Sequence, residues 1–280
     1  MNHEKRVELA KADIQTQAEK DQGLTVRKAN QLIQKNRFDM TVREQRLLLY
    51  CISRIKPTDK GGELYKIKIR DVCRASGIEG DIDGEAYRAV HDALKKLDSF
   101  NFTLIDERNK KDVFVHWIRD TEIDRNPGGY ISFRFDPKVT PYLFNVRKCF
   151  TQYELGNVIQ MKSAYGIRLY ELAKSYGNIH EKDFTLAELR YLLGAETKAY
   201  DKYSFLKMRV IDPAIDEIRT YADLKIDYIP LHDGQPIRDG KRAKVTGIRF
   251  IIDSGWAEKA EMYLEQLDRE RHPERYKDNQ

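Results

Sequence analysis

Positive charge is concentrated in two short stretches of this 280-residue chain. Lys198, Lys202, Lys207 and Arg209 stand close together against a single acid, Asp201, with Tyr203, Ser204 and Met208 among them. Arg238, Lys241, Arg242 and Lys244 follow, opposed only by Asp239. Guanidinium and ammonium groups donate to phosphate oxygens and to guanine O6 and N7, while hydroxyls reach phosphates or bases. These residue types therefore point to nucleic acid. Weaker groups lie in the first half. Arg27 and Lys28 precede Asn30, and Lys110 and Lys111 stand together; both offer backbone contacts. Arg88, Lys95 and Lys96 share a segment with Glu85 and Asp92, which weakens their base-reading potential.

Catalytic chemistry finds no comparable pattern. There is no G-x-x-x-x-G-K-[ST] loop, no G-x-G-x-x-G and no G-x-S-x-G elbow. The six histidines are scattered, without H-x-H or H-E-x-x-H, so neither a metal site nor a His-pair nicking centre is expected. Asp81-Ile82-Asp83-Gly84-Glu85 resembles part of a calcium loop but lacks the closing Glu; a loop with a helix cap explains it better. The cysteines, Cys51, Cys73 and Cys149, are odd in number and far apart, as buried reduced thiols would be. The expectation is a protein without enzymatic activity or cofactor. No apolar run is long enough to span a membrane, and the charged first twenty residues lack a signal-peptide core, which points to the cytoplasm. Net charge is +5 overall: +6 over residues 1–148, +1 over 149–255 and −2 over 256–280. A basic function must therefore come from local clusters.

The elements that would hold those clusters occur twice. Arg46-Leu47-Leu48-Leu49-Tyr50-Cys51 corresponds to Arg168-Leu169-Tyr170-Glu171-Leu172-Ala173. Val90, Ala93, Leu94 and Leu97 correspond to Ile211, Ala214, Ile215 and Ile218, and Ile131, Phe133 and Phe135 to Ile248, Phe250 and Ile252. The near-constant offset means two copies of one domain. In the first copy, helical spacing covers Arg43–Ile55, with Thr41 and Glu44 as a capping box. A strand Leu64–Ile69, a short helix Arg70–Ser76 stopped by Gly77, and a long helix Gly84–Leu97 capped by Asp83 follow. Strands are expected at Phe100–Ile105, Val113–Ile118 and Tyr130–Phe135. The second copy reads as helix Gln160–Ser175, strand Phe184-Thr185, helix Leu186–Leu193 stopped by Gly194, helix Lys202–Arg219, and strands Leu224–Pro230 and Val245–Ile252 joined by a polar turn. Helix, strand, helix, helix and β-hairpin is the order of a winged helix, with a helix-turn-helix and a hairpin wing. The fold class is α+β: two winged-helix domains in tandem, related by pseudo-twofold symmetry. They occupy residues 25–148 and 149–255, between a charged segment (1–24) and a C-terminal helix and tail (256–280).

The tandem pattern is similar to the plasmid replication initiators of the tandem winged-helix, iteron-binding family. Leu206-Lys207-Met208-Arg209-Val210-Ile211-Asp212-Pro213-Ala214-Ile215-Asp216-Glu217-Ile218 carries the resemblance. Arg27-Lys28-Ala29-Asn30 and Asn36-Arg37-Phe38-Asp39-Met40-Thr41, ahead of the first helix, add to it. The resemblance covers about residues 25–255. It implies sequence-specific binding of double-stranded DNA at short repeated origin sites. Monomers would open the origin and recruit the host initiator and replicative helicase. Homodimers, formed through the first module, would repress the initiator's own gene. It places Lys207, Met208 and Arg209 where the second module reads bases, with Lys202 and Ser204 just before. Met208 departs from the family, where the position is often basic; the departure implies either a contact to a thymine methyl or simply a lower affinity. Two alternatives stay open: a repressor or partition-type DNA binder without initiator activity, and a winged-helix scaffold for protein partners.

Overall fold

The computed structural model describes residues 23–37, 39–77, 84–99, 101–106, 110–126, 128–177, 179–237 and 243–253. The expected Asp83 cap, the Asp81–Glu85 calcium-like stretch apart from Gly84 and Glu85, Lys241, Arg242, and the N- and C-terminal segments lie outside them. The chain opens with β1 (Thr25–Ala29) and α1 (Asn30–Lys35), then α2 (Val42–Ser53). The expected capping box starts α2: the Thr41 hydroxyl accepts the Glu44 N–H, and the Glu44 carboxylate accepts the Thr41 N–H at 2.9 Å. A cap of this kind is worth about 1 kcal/mol. Next come β2 (Tyr65–Lys68), α3 (Ile69–Ala75) and α4 (Glu85–Ser99). Gly77 takes φ +62° after α3, a left-handed backbone that glycine adopts without a Cβ clash. On α4, the expected stripe of Ala86, Val90, Ala93, Leu94 and Leu97 is buried.

Four strands complete the first module: β3 (Asn101–Asp106), β4 (Lys111–His116), β5 (Ile118–Ile123) and β6 (Tyr130–Phe135). This corrects the single strand expected at Val113–Ile118. Trp117 is fully buried and stacks on Phe102 at 4.6 Å. The chain breaks there, so β4 pairs with β3 while β5 pairs with β6. A short helix α5 (Thr140–Leu143) leads to β7 (Phe150–Glu154), α6 (Gly156–Ile159) and α7 (Ala164–Ser175), which Ser163 caps through its hydroxyl. The helix expected from Gln160 therefore starts four residues later.

The second module continues with β8 (Glu181–Thr185) and α8 (Leu186–Leu193). Thr185 and Glu188 form a capping box on α8, and Gly194 ends it at φ +71°. A 3-10 turn (Lys198–Tyr200) precedes a rod of three parts: α9 (Tyr203–Leu206), a π-helical turn (Lys207–Ile211) and α10 (Asp212–Tyr221). Strands β9 (Lys225–His232), β10 (Gln235–Pro236) and β11 (Gly247–Asp253) close the module. The two modules share one topology. In the first, β6 sits between β2 and β5; in the second, β11 sits between β8 and β9, and every pairing is antiparallel.

The pairing that ties the start of the chain to residues 150–154 was not foreseen. β1 pairs antiparallel with β7, which places Lys28 opposite Thr151. Lys28 is 2% exposed and ion-paired with Glu171 on α7; Arg168, equally buried, lies 3.3 Å from the same carboxylate. Arg168 also donates to the carbonyls of Ile33 and Asn36, each at 3.1 Å, and to that of Leu192 at 3.3 Å. Tyr153 donates its hydroxyl to Glu171. One carboxylate thus gathers two cations and a phenol at the centre of the molecule, where an unpaired charge would cost several kcal/mol.

Candidate nucleic-acid interface

In a helix-turn-helix, α8 is the bracing helix and the rod starting at Tyr203 is the one presented to DNA. Its register depends on the π turn. Pro213 has no N–H for the Arg209 carbonyl, and its ring crowds that carbonyl. The chain widens instead: the Asp212 N–H reaches back five residues to the Lys207 carbonyl. The widening decides which residues face out. At about 100° per residue, carrying the Ile218–Ile215–Ala214–Ile211 stripe back through a straight helix turns Lys207 and Ser204 to the core. The additional residue in the turn rotates everything upstream by about one position. Leu206 is fully buried, and the Tyr203 hydroxyl is enclosed. Ser204, Met208 and Arg209 are exposed, and Met208 is 55% accessible.

Around this face the charges are held in place. The Lys207 ammonium lies 2.6 Å from Asp212 and 5.8 Å from the centre of the Tyr228 ring; the Tyr228 hydroxyl donates to Asp212 at 2.7 Å. Burial, then the Asp212 bond, push the Tyr228 phenol above its ordinary pKa, so it stays a donor at neutral pH. The Arg209 guanidinium lies over the Phe205 ring at 5.5 Å. Lys198 and Lys202 are exposed just upstream, and Arg190 on α8 ties its guanidinium to the Asp201 carbonyl. In the wing, Lys244 is exposed and its carbonyl accepts a bond from the His232 ring at 2.8 Å. The arrangement is a cationic, partly apolar ridge in which Asp201 is an exposed acid and Asp212 is engaged by Lys207.

Several expected contacts are placed elsewhere. Lys28 is not a DNA contact: it is in the core, ion-paired with Glu171. Burial lowers its pKa against the pull of that carboxylate. Tyr203 likewise turns inward, because the π turn rotates it toward the core, and burial raises its phenol pKa. Arg27 stays exposed on β1, donating to Gln152 at 2.8 Å and lying 4.7 Å from the Phe150 ring centre. On α4, Arg88 and Lys95 are exposed, but Lys96 is 3.0 Å from Glu44, which offsets its charge. Cys149 is exposed, contrary to the expectation of three buried thiols; Cys51 and Cys73 are buried. Among the described residues no cluster of three or more His, Cys, Asp or Glu is placed to hold a metal, and no helix is long and apolar enough to cross a membrane.

Two family models match the chain. One, described as initiator replication protein, WH1, covers residues 25–174; the other, initiator Rep protein, WH2, covers 185–252. The chain belongs to the initiator replication protein family. A curated relative from Escherichia coli, a replication initiation protein, is 24% identical over 209 residues. That match takes in 72% of this chain and 64% of the relative, so the chain spans somewhat less than two thirds of the length of the curated relative it matches. Among solved structures, the Pi initiator protein in complex with iteron DNA aligns with a TM-score of 0.62 at 18% identity. It covers 82% of this chain and 96% of that one. The likeness establishes the tandem winged-helix fold of this chain.

The sequence reading missed three features of this surface. Phe205 is 39% exposed and supports Arg209, and Tyr191 on α8 is 42% exposed. Neither is charged, so neither stood out. The third is the π turn, for which Pro213 inside an otherwise helical pattern is the one available signal.

Proposed function

We propose that this initiator binds short repeated sites in duplex DNA at a plasmid origin and starts replication there without catalysing a reaction itself. The outward-facing cationic ridge of Lys198, Lys202, Ser204, Lys207 and Arg209 on the second module is the observation that carries the reading. That ridge sits where a helix-turn-helix meets the major groove, and a protein of like fold is described in complex with iteron DNA. Lys244 and the neighbouring wing hold phosphates; Arg27, Arg88 and Lys95 of the first module add backbone contacts about one helical turn away. Homodimers that repress the initiator's own gene, and contacts with the host initiator and helicase, are part of the same proposal.

The test is competition binding on duplex sites selected from random sequence. Lys207→Ala with Arg209→Ala removes two donors to base edges or phosphates, worth roughly 1–3 kcal/mol each. The double variant should lose sequence discrimination while keeping its fold by circular dichroism. Full discrimination by that variant refutes the assignment. Replication is tested separately: a plasmid carrying the origin should be maintained only when this gene is supplied.

A further inference from the structure

Six large apolar side chains are exposed among the described residues: Leu64, Phe114, Ile179, Tyr191, Phe205 and Met208. Three of them belong to the helix-turn-helix, and two stand on the rod beside Lys207 and Arg209. Apolar groups set among cations on one face suit a partner that is both anionic and locally apolar. Duplex DNA offers one such feature in the major groove, the C5-methyl of thymine. From this we infer that Phe205 and Met208 form a thymine-methyl reader, resting on the DNA-binding reading above, and that the π turn is what brings Met208 to the surface.

The geometry supports the pairing of roles. Arg209 is laid over the Phe205 ring, so one cation and one aromatic face are fixed together. Met208 sits between Lys207 and Arg209 with over half its surface free. Its flexible thioether adapts to a methyl group without demanding one orientation. Lys207 is restrained by Asp212, so it does not fold over Met208. The cations then anchor the rod on phosphate or guanine, and the apolar pair selects thymine beside them.

Deoxyuridine scanning tests this. Deoxyuridine keeps the pairing and the O4 acceptor of thymine and removes the methyl alone. On selected sites, replacing thymine by deoxyuridine should weaken wild-type binding about fourfold per contacted methyl, at one or two positions only. Phe205→Ala with Met208→Ala should bind the thymine site more weakly and bind the deoxyuridine site equally, its ratio near one. A thermal melt by circular dichroism verifies that the variant is fully folded at the binding temperature. Wild-type binding indifferent to deoxyuridine at every position overturns the inference while leaving DNA binding intact. So does a double variant that keeps the fourfold ratio. If wild type prefers no selected site over random DNA, the proposed function fails first and takes this inference with it.

Discussion

Replacing Glu171 by Gln should be far more damaging than replacing the lysine that pairs with it. Glu171 is shared by Lys28 and Arg168, and all three are almost fully buried. Glu171→Gln leaves two buried cations facing a neutral amide. Breaking a buried pair in this way costs about 3–5 kcal/mol. At roughly 2–4 °C per kcal/mol for a chain of this size, the melting temperature should fall by about 6–20 °C. Lys28→Met leaves Glu171 with Arg168 at 3.3 Å and with the Tyr153 hydroxyl, a one-to-one pair. Its lost bond is partly offset because one less ammonium is desolvated, so the cost is about 1–2 kcal/mol. The pH dependence carries the same signature. Burial alone would raise the Glu171 pKa, but Lys28 and Arg168 more than offset it and hold the carboxyl below its ordinary value of about 4.3. Its contribution is complete above that value and drains away as pH falls through the lower folded-state value. Thermal and urea melts followed by circular dichroism, from pH 7 down to pH 3, measure both effects. Glu171→Gln should lack the acid-labile part of the wild-type curve. A Glu171→Gln melt within 2 °C of wild type, or a larger loss for Lys28→Met, refutes the reasoning.

Two more outcomes follow from the charged surface. Lys241→Ala, Arg242→Ala and Lys244→Ala together should weaken binding to all duplexes alike. They should also flatten the dependence of log affinity on log salt by up to about 0.9 per lost phosphate contact, read from titrations at several salt concentrations. Asp212→Asn should act in the opposite sense: it frees the Lys207 ammonium, raises affinity for random duplex, steepens the salt slope and narrows the gap between selected and random sites. A variant with an unchanged gap would show that Asp212 does not aim Lys207.

Much of the architecture was legible because it rests on local rules. Thr41 with Glu44 starts a helix as a capping box, Gly77 and Gly194 end helices in a left-handed backbone, and the α4 stripe repeats at helical spacing. The duplication doubled the signal, since two copies of the same pattern agreed on one topology. Strand boundaries were less legible. Nothing local in Val113–Ile118 says that Trp117 must leave the sheet; its burial against Phe102, across the hairpin, decides that.

Composition and periodicity, read along the chain alone, determined two winged-helix modules and a cationic second helix-turn-helix. Both are short-range properties of residue type and spacing. The tertiary structure alone decided which of the chain's cations reach solvent. Lys28 lies in a strand that closes on β7 far along the chain, so only the fold turns it from a surface charge into a core ion pair. Tyr203 turns inward in place of Ser204, and Leu206 in place of Lys207, because one proline forces an additional residue into a helical turn; a rotation of about 100° is invisible to any count made at 3.6 residues per turn.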